Sequence, residues 1–83
     1  MLIDISDDLS TSIAKAVTAL TGLVVQIDEG RDDTTTVVVR HAREEDDHSV
    51  TLVAYPWSPT AEQPVYHTTL LFPMHLVEKV TVL

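Results

Sequence analysis

His41 and His48 stand on either side of the most acidic stretch of the chain, Glu44-Glu45-Asp46-Asp47. Imidazoles beside carboxylates are the raw material of a metal centre. On a hairpin turned between Glu45 and Asp46 the two histidines fall on one face at diagonal positions, about 7–8 Å apart at Cα. The spacing argues against a metal: there is no H-x-x-x-H or H-x-H pair and no third ligand at a fixed interval. These are read as two surface imidazoles near a solvated turn. Asp28-Glu29-Gly30-Arg31-Asp32-Asp33 resembles a calcium loop only in being acidic, because the alternating Asp/Asn ligands and the terminal glutamate are missing.

Covalent chemistry fares no better. Serines are present, but no G-x-S-x-G elbow surrounds one, and the two glycines of the chain cannot build a phosphate-cradling loop. Acid–base catalysis by paired carboxylates needs partly buried acids. Nearly every acid here falls in a turn or in the first turn of a helix, with Glu78 the one possible exception. The inventory reads as a protein that is not an enzyme and that uses no metal or cofactor.

What remains is binding. Four consecutive acids at a hairpin tip, flanked by Arg43 and His48, project a dense negative field. They read either as a finger for a basic groove or as a turn kept soluble by charge. Trp57, the one tryptophan, lies between Pro56 and Ser58-Pro59. Tryptophan is favoured at the centre of interfaces, and proline flanks hold it in few conformations. It can equally close over an open edge of the core.

The elements that must position these residues centre on the hairpin Thr35 to Tyr55, two β-branched runs of ordinary strand length. A turn between Glu45 and Asp46 pairs Val37 with Ala54, Val39 with Leu52, His41 with Val50 and Arg43 with His48. One face then carries Val37, Val39, Val50, Leu52 and Ala54, with His41 and His48 near the turn. The other carries Thr36, Val38, Arg40, Ala42, Ser49, Thr51, Val53 and Tyr55. Without an Asn-Gly or Asp-Gly signal the connection has two or four residues.

Upstream, Met1 to Ile5 is a brief strand or an apolar lead-in. Ser6 is an N-cap candidate with Asp7 and Asp8 in the first turn. Leu9, Ile13, Val17 and Leu20 form an apolar stripe on a helix from about 7 to 21, closed by Gly22. Leu23 to Asp28 reads as a strand. Pairing around Arg31 sets Leu23, Val25 and Ile27 opposite Val39, Val37 and Thr35, the face the hairpin had already selected. Pro56 to Pro64, with three of the four prolines, reads as a loop. Val65 to Phe72 reads as a fourth strand interrupted by Pro73. Met74 to Leu83 follows as a short strand, Val77 to Val82, or as a turn of helix and then strand.

The predicted fold is therefore α+β: a single domain, 1–83, with one N-terminal helix on one face of a four- to five-stranded antiparallel meander. The chain has no cysteine, and no apolar run reaches the roughly 18 residues of a membrane span. Its acidic start does not read as a secretory signal, so a cytoplasmic, non-membrane protein is expected. Thirteen acids against five Lys and Arg leave a formal charge of −8. That disfavours direct nucleic-acid binding and favours a basic protein partner. The expected function is an acidic interaction module, an inhibitor or accessory factor of the kind that mobile elements and toxin–immunity pairs encode. Its contacts would be Glu44, Glu45, Asp46, Asp47 and Trp57, with Tyr55, Arg40, Val38 and Val53 on the outer face of the sheet. One helix covers only one face, and Val24, Val38, Val53 and Tyr55 leave the other apolar. A homodimer is therefore expected, and an assembly subunit is the second reading. A small enzyme or ligand-binding domain comes third.

Overall fold

The computed structural model describes residues 2–4 and 10–83. It runs β1 (Leu2–Asp4), α1 (Ser10–Ala19), β2 (Val24–Asp28), β3 (Thr34–Glu44), β4 (Val50–Ser58), β5 (Gln63–Pro64), β6 (Leu70–Pro73), a 3-10 turn (Met74–Leu76) and β7 (Lys79–Val82). The strands lie in the order β1-β7-β2-β3-β4, with β5 and β6 both on the far edge of β4. Every pairing is antiparallel. The α+β class is as the sequence predicts, with a helix on one face of an antiparallel sheet. Among the described residues no helix is long and apolar enough to cross a membrane.

The helical stripe does what its spacing requires. Val17 and Leu20 are buried, and Ile13 and Ala14 pack against the core from their edge. Leu9, Ser6, Asp7 and Asp8 lie outside the described residues, as do Met1 and Ile5. The helix ends at Ala19, and the turn that follows it contains Gly22, whose φ of +84° is the left-handed conformation that glycine adopts without penalty. Its N–H donates to the Val39 carbonyl at 2.8 Å, and the Val39 N–H donates to the Leu23 carbonyl at 3.1 Å. The helix is thus tied to β3 through backbone at the point where its stripe meets the sheet.

The β2–β3 register is the predicted one: Val25 faces Val37 and Ile27 faces Thr35. In the connecting turn Gly30, Arg31 and Asp32 all have positive φ. The Asp28 carboxylate accepts the Gly30 N–H at 2.8 Å, an Asx turn that closes the chain on itself. β7 then lies along the other side of β2, with Ile27 opposite Val80.

The β3–β4 register departs from the expectation in two steps. Val37 stands opposite Pro56 and Val39 opposite Ala54, two residues along from the predicted partners. That shift preserves the faces. Between Val39 and His41 the ladder then takes up an extra residue, Arg40, so that His41 faces Val53, Ala42 faces Leu52, Arg43 faces Thr51 and Glu44 faces Val50. A bulge of one residue inverts the alternation of its own strand beyond it. His41 therefore points outward and is exposed, whereas Ala42 packs against the core. His48 is no ladder residue: it sits in the loop with φ 68°. The two histidines do not share a face, and Arg43 does not face His48.

Two further expectations are corrected. Pro56, Trp57 and Ser58 belong to β4, not to a loop, because the shifted register sets Pro56 opposite Val37 of β3 and β5 closes on the next two residues, Trp57 opposite Pro64 and Ser58 opposite Gln63. Residues 65–69 are irregular, and the strand begins only at Leu70. Pro73 ends that strand, facing Thr51, and a 3-10 turn leads to β7, the second of the two forms the sequence allowed.

The bulge makes a direct stability test. Ala42→Glu should cost about 2–4 kcal/mol, by forcing a charge toward the core, and His41→Glu less than about 0.5 kcal/mol. Thermal unfolding of the two variants checks this, and the opposite ranking would mean that β3 continues without a bulge.

Candidate functional site

The residues expected to bind do not form one patch. They fall into an acidic end of the hairpin and an apolar, aromatic outer face.

At the hairpin end five residues, Glu45 to Ser49, leave the ladder after the last pair, Glu44 with Val50. The loop is held by backbone: the Glu45 N–H donates to the Ser49 carbonyl at 2.9 Å and the His48 N–H to the Glu45 carbonyl at 3.0 Å. Its carboxylates are tied as well. Asp47 Oδ1 accepts both the Ser49 N–H, at 3.0 Å, and the Ser49 hydroxyl, at 2.6 Å. Glu45 Oε1 accepts from Arg43 Nε at 2.6 Å. Both acids are pulled below the ordinary carboxylate range. For Glu45 the main cause is the Arg43 hydrogen bond, with a lesser one from the Thr51 hydroxyl. For Asp47 it is the Ser49 hydroxyl and then the Ser49 N–H. Asp46 and Glu44 are exposed beside them.

On the outer face, backbone pairing sets up a row across four strands. The Leu83 N–H donates to the Val24 carbonyl at 3.0 Å, Val24 faces Val38, and Val38 faces Tyr55. Tyr55 takes the Tyr66 ring edge-on, with centroids 5.0 Å apart and planes at 74°. The Arg40 guanidinium lies over Tyr55 at 5.6 Å. Trp57 is the next outward position of β4 and is half-buried. Val53 lies on this face as expected but is only 3% exposed, flanked by His41 and Leu71.

Tyr66, 69% exposed, and Leu83 were not singled out from the sequence. No local pattern marks Tyr66; it meets Tyr55 because β5 folds back on Trp57. Leu83 joins the row only through the register of β7, which its own residues leave open.

Among the described residues no three His, Asp or Glu side chains are grouped to hold a metal ion. Glu78 is exposed, its carboxylate lying over Gly30. No protein-family model, curated protein or solved structure matches the chain.

The loop bonds set a pH dependence. A carboxyl whose folded pKa is depressed contributes stability above its ordinary pKa, near 4 for Asp and Glu, and loses it as the pH falls through the folded value. Side-chain carboxyl NMR titration should show Asp47 and Glu45 titrating below the ordinary range for Asp and Glu. Ser49→Ala should raise Asp47 alone, and Arg43→Gln should raise Glu45. Unshifted carboxyls in the wild type would mean that the loop is not held by these bonds.

Proposed function

We propose that this protein acts by binding another protein through the acidic end of the β3–β4 hairpin, as an inhibitor or accessory factor in the cytoplasm. The supporting observation is that the hairpin end presents ionised carboxylates in a loop already ordered by its own hydrogen bonds. A charged loop that must be ordered on binding loses affinity to that ordering, and a preorganised one does not. The formal charge of −8 adds long-range attraction for a basic surface and repels nucleic acid. A basic groove on the partner, of the kind that otherwise accepts phosphates, is the surface that fits.

The test is a pull-down from nuclease-treated lysate with two baits, the wild type and the isosteric variant Glu44→Gln, Glu45→Gln, Asp46→Asn, Asp47→Asn. A stoichiometric protein eluted by moderate salt from the first and depleted about tenfold or more on the second is the expected result. Its association rate with the purified protein should fall steeply with ionic strength. The same proteins recovered equally on both baits would remove the hairpin end from the interface.

A further inference from the structure

We propose that the acidic hairpin end is a pH-sensitive charge switch: protonation of His41, His48 and His75, which three different elements bring to it, cancels its negative charge and releases a basic partner. This regulation rests on the reading of that end as the binding surface.

The strand registers bring the three imidazoles together. Thr51 of β4 faces Arg43 on one side and Pro73 of β6 on the other. The 3-10 turn Met74–Leu76 follows Pro73 at once and packs against β4, with Met74 in the core and His75 exposed. His75 thereby reaches the place where β4 leaves the loop. The Asp47 carboxyl, held down chiefly by the Ser49 hydroxyl and N–H, is lowered further by the positive charge of His75, so the two side chains are within electrostatic reach. His48 is exposed in the loop itself, next to Asp47 in the chain. His41 stands three residues before Glu44 and is turned outward by the bulge. Three of the four histidines of the chain thus surround one acidic run. The fourth, His67, lies towards the other end of β4, between Val65, which bonds Pro56, and Leu70, which faces Ala54.

Histidine is the side chain whose ordinary pKa, about 6.5, lies near neutrality. Carboxyl groups ordinarily titrate near pH 4, and Asp47 and Glu45, the latter through its Arg43 hydrogen bond, lie lower still. Between about pH 7.5 and 5.5 the imidazoles therefore change charge while the carboxylates keep theirs. Glu44, Glu45, Asp46 and Asp47 against Arg43 leave three negative charges at neutral pH, which three imidazolium charges cancel. The segments packed alongside add little to this balance. β6 and residues 50–54 of β4 carry no ionisable side chain, and α1 carries only the exposed Lys15. Glu78, three residues beyond His75, lays its carboxylate over Gly30. A basic groove seated on the end meets the imidazolium charges directly, since charge is felt over about 8 Å at physiological ionic strength.

A fluorescent oligolysine peptide of about ten residues, titrated into the full chain near pH 7.5 and near pH 5.5 at constant ionic strength, is the test. The wild type should bind it about tenfold more weakly at the lower pH. The variant His41→Gln, His48→Asn, His75→Gln should bind as the wild type does at the higher pH and keep that affinity at the lower; asparagine suits the φ of 68° at position 48. His67→Gln should leave the pH dependence intact, because the switch is local. Equal wild-type affinity at the two pH values, or a pH dependence that survives in the triple variant, overturns the switch and leaves the acidic end as a binding surface. A peptide that binds Glu44→Gln, Glu45→Gln, Asp46→Asn, Asp47→Asn as tightly as the wild type at the higher pH overturns both.

Discussion

Alternation along a strand is the constraint on which this structure depends. With a side-chain period of two, each register decision settles which residues enter the core and which face out. β2 and β3 agree over their whole pairing, so Val25, Ile27, Val37 and Val39 all turn toward Val17 and Leu20 of the helix. β3 is longer than β2, and its far half pairs only with β4. There the core needs Val50 and Leu52 from β4, and the partner residue on β3 must be small. The bulge at Arg40 supplies it by turning Ala42 inward and expelling His41. The extra residue lies over Tyr55 with its charge in solvent, so the irregularity that satisfies the core also builds one corner of the outer face.

The parts of this arrangement that were legible in the sequence are those governed by local periodicity. The helical stripe Ile13, Val17, Leu20, the Gly22 turn and the β2–β3 register follow from spacings within one element or across one tight turn. The inward set Val50, Leu52, Ala54 was also legible, because a two-residue error in register preserves parity. What escaped was set elsewhere in the chain. Nothing in Val39-Arg40-His41 announces a bulge; the β4 residues opposite decide it. Three prolines between residues 56 and 64 are the usual mark of a loop, yet Pro56 still offers its carbonyl, which accepts the Val65 N–H at 2.8 Å, and Pro64 needs no donor on the outer side of a two-residue edge strand. Of the candidate site, the acidic run was legible as charge but not as an ordered loop. The Tyr55–Tyr66 pair was not legible at all, since it joins residues brought together by the short β4–β5 hairpin.

The two surfaces differ in what holds them in place. The outer face is a by-product of the sheet: any change that keeps the ladders keeps the row. The hairpin end leaves the ladder and is held differently. Its geometry rests on hydrogen bonds among Glu45, Asp47, His48 and Ser49, most of them solvent-exposed and each worth only about 1 kcal/mol. Those bonds also occupy part of the acceptor capacity of Glu45 and Asp47. Each carboxylate keeps a second oxygen, and Asp46 keeps both, so the loop presents free acceptors while its shape is maintained from within.

Separation along the hairpin determines how far these surfaces can influence one another. From Val50 to Tyr55 the strand rises by about 3.3 Å per residue, so the aromatic corner lies roughly 17 Å or more from the loop. At physiological ionic strength charges are screened over about 8 Å. The acidic end therefore contributes little repulsion at the outer face, and a charge change in the loop should not be felt by the row Leu83–Val24–Val38–Tyr55. Near 0.01 M salt the screening length grows to about 30 Å, longer than that separation, and the two would no longer be independent. On this physical basis the outer face and the acidic end are electrostatically independent surfaces on one small sheet, coupled only when the salt is low.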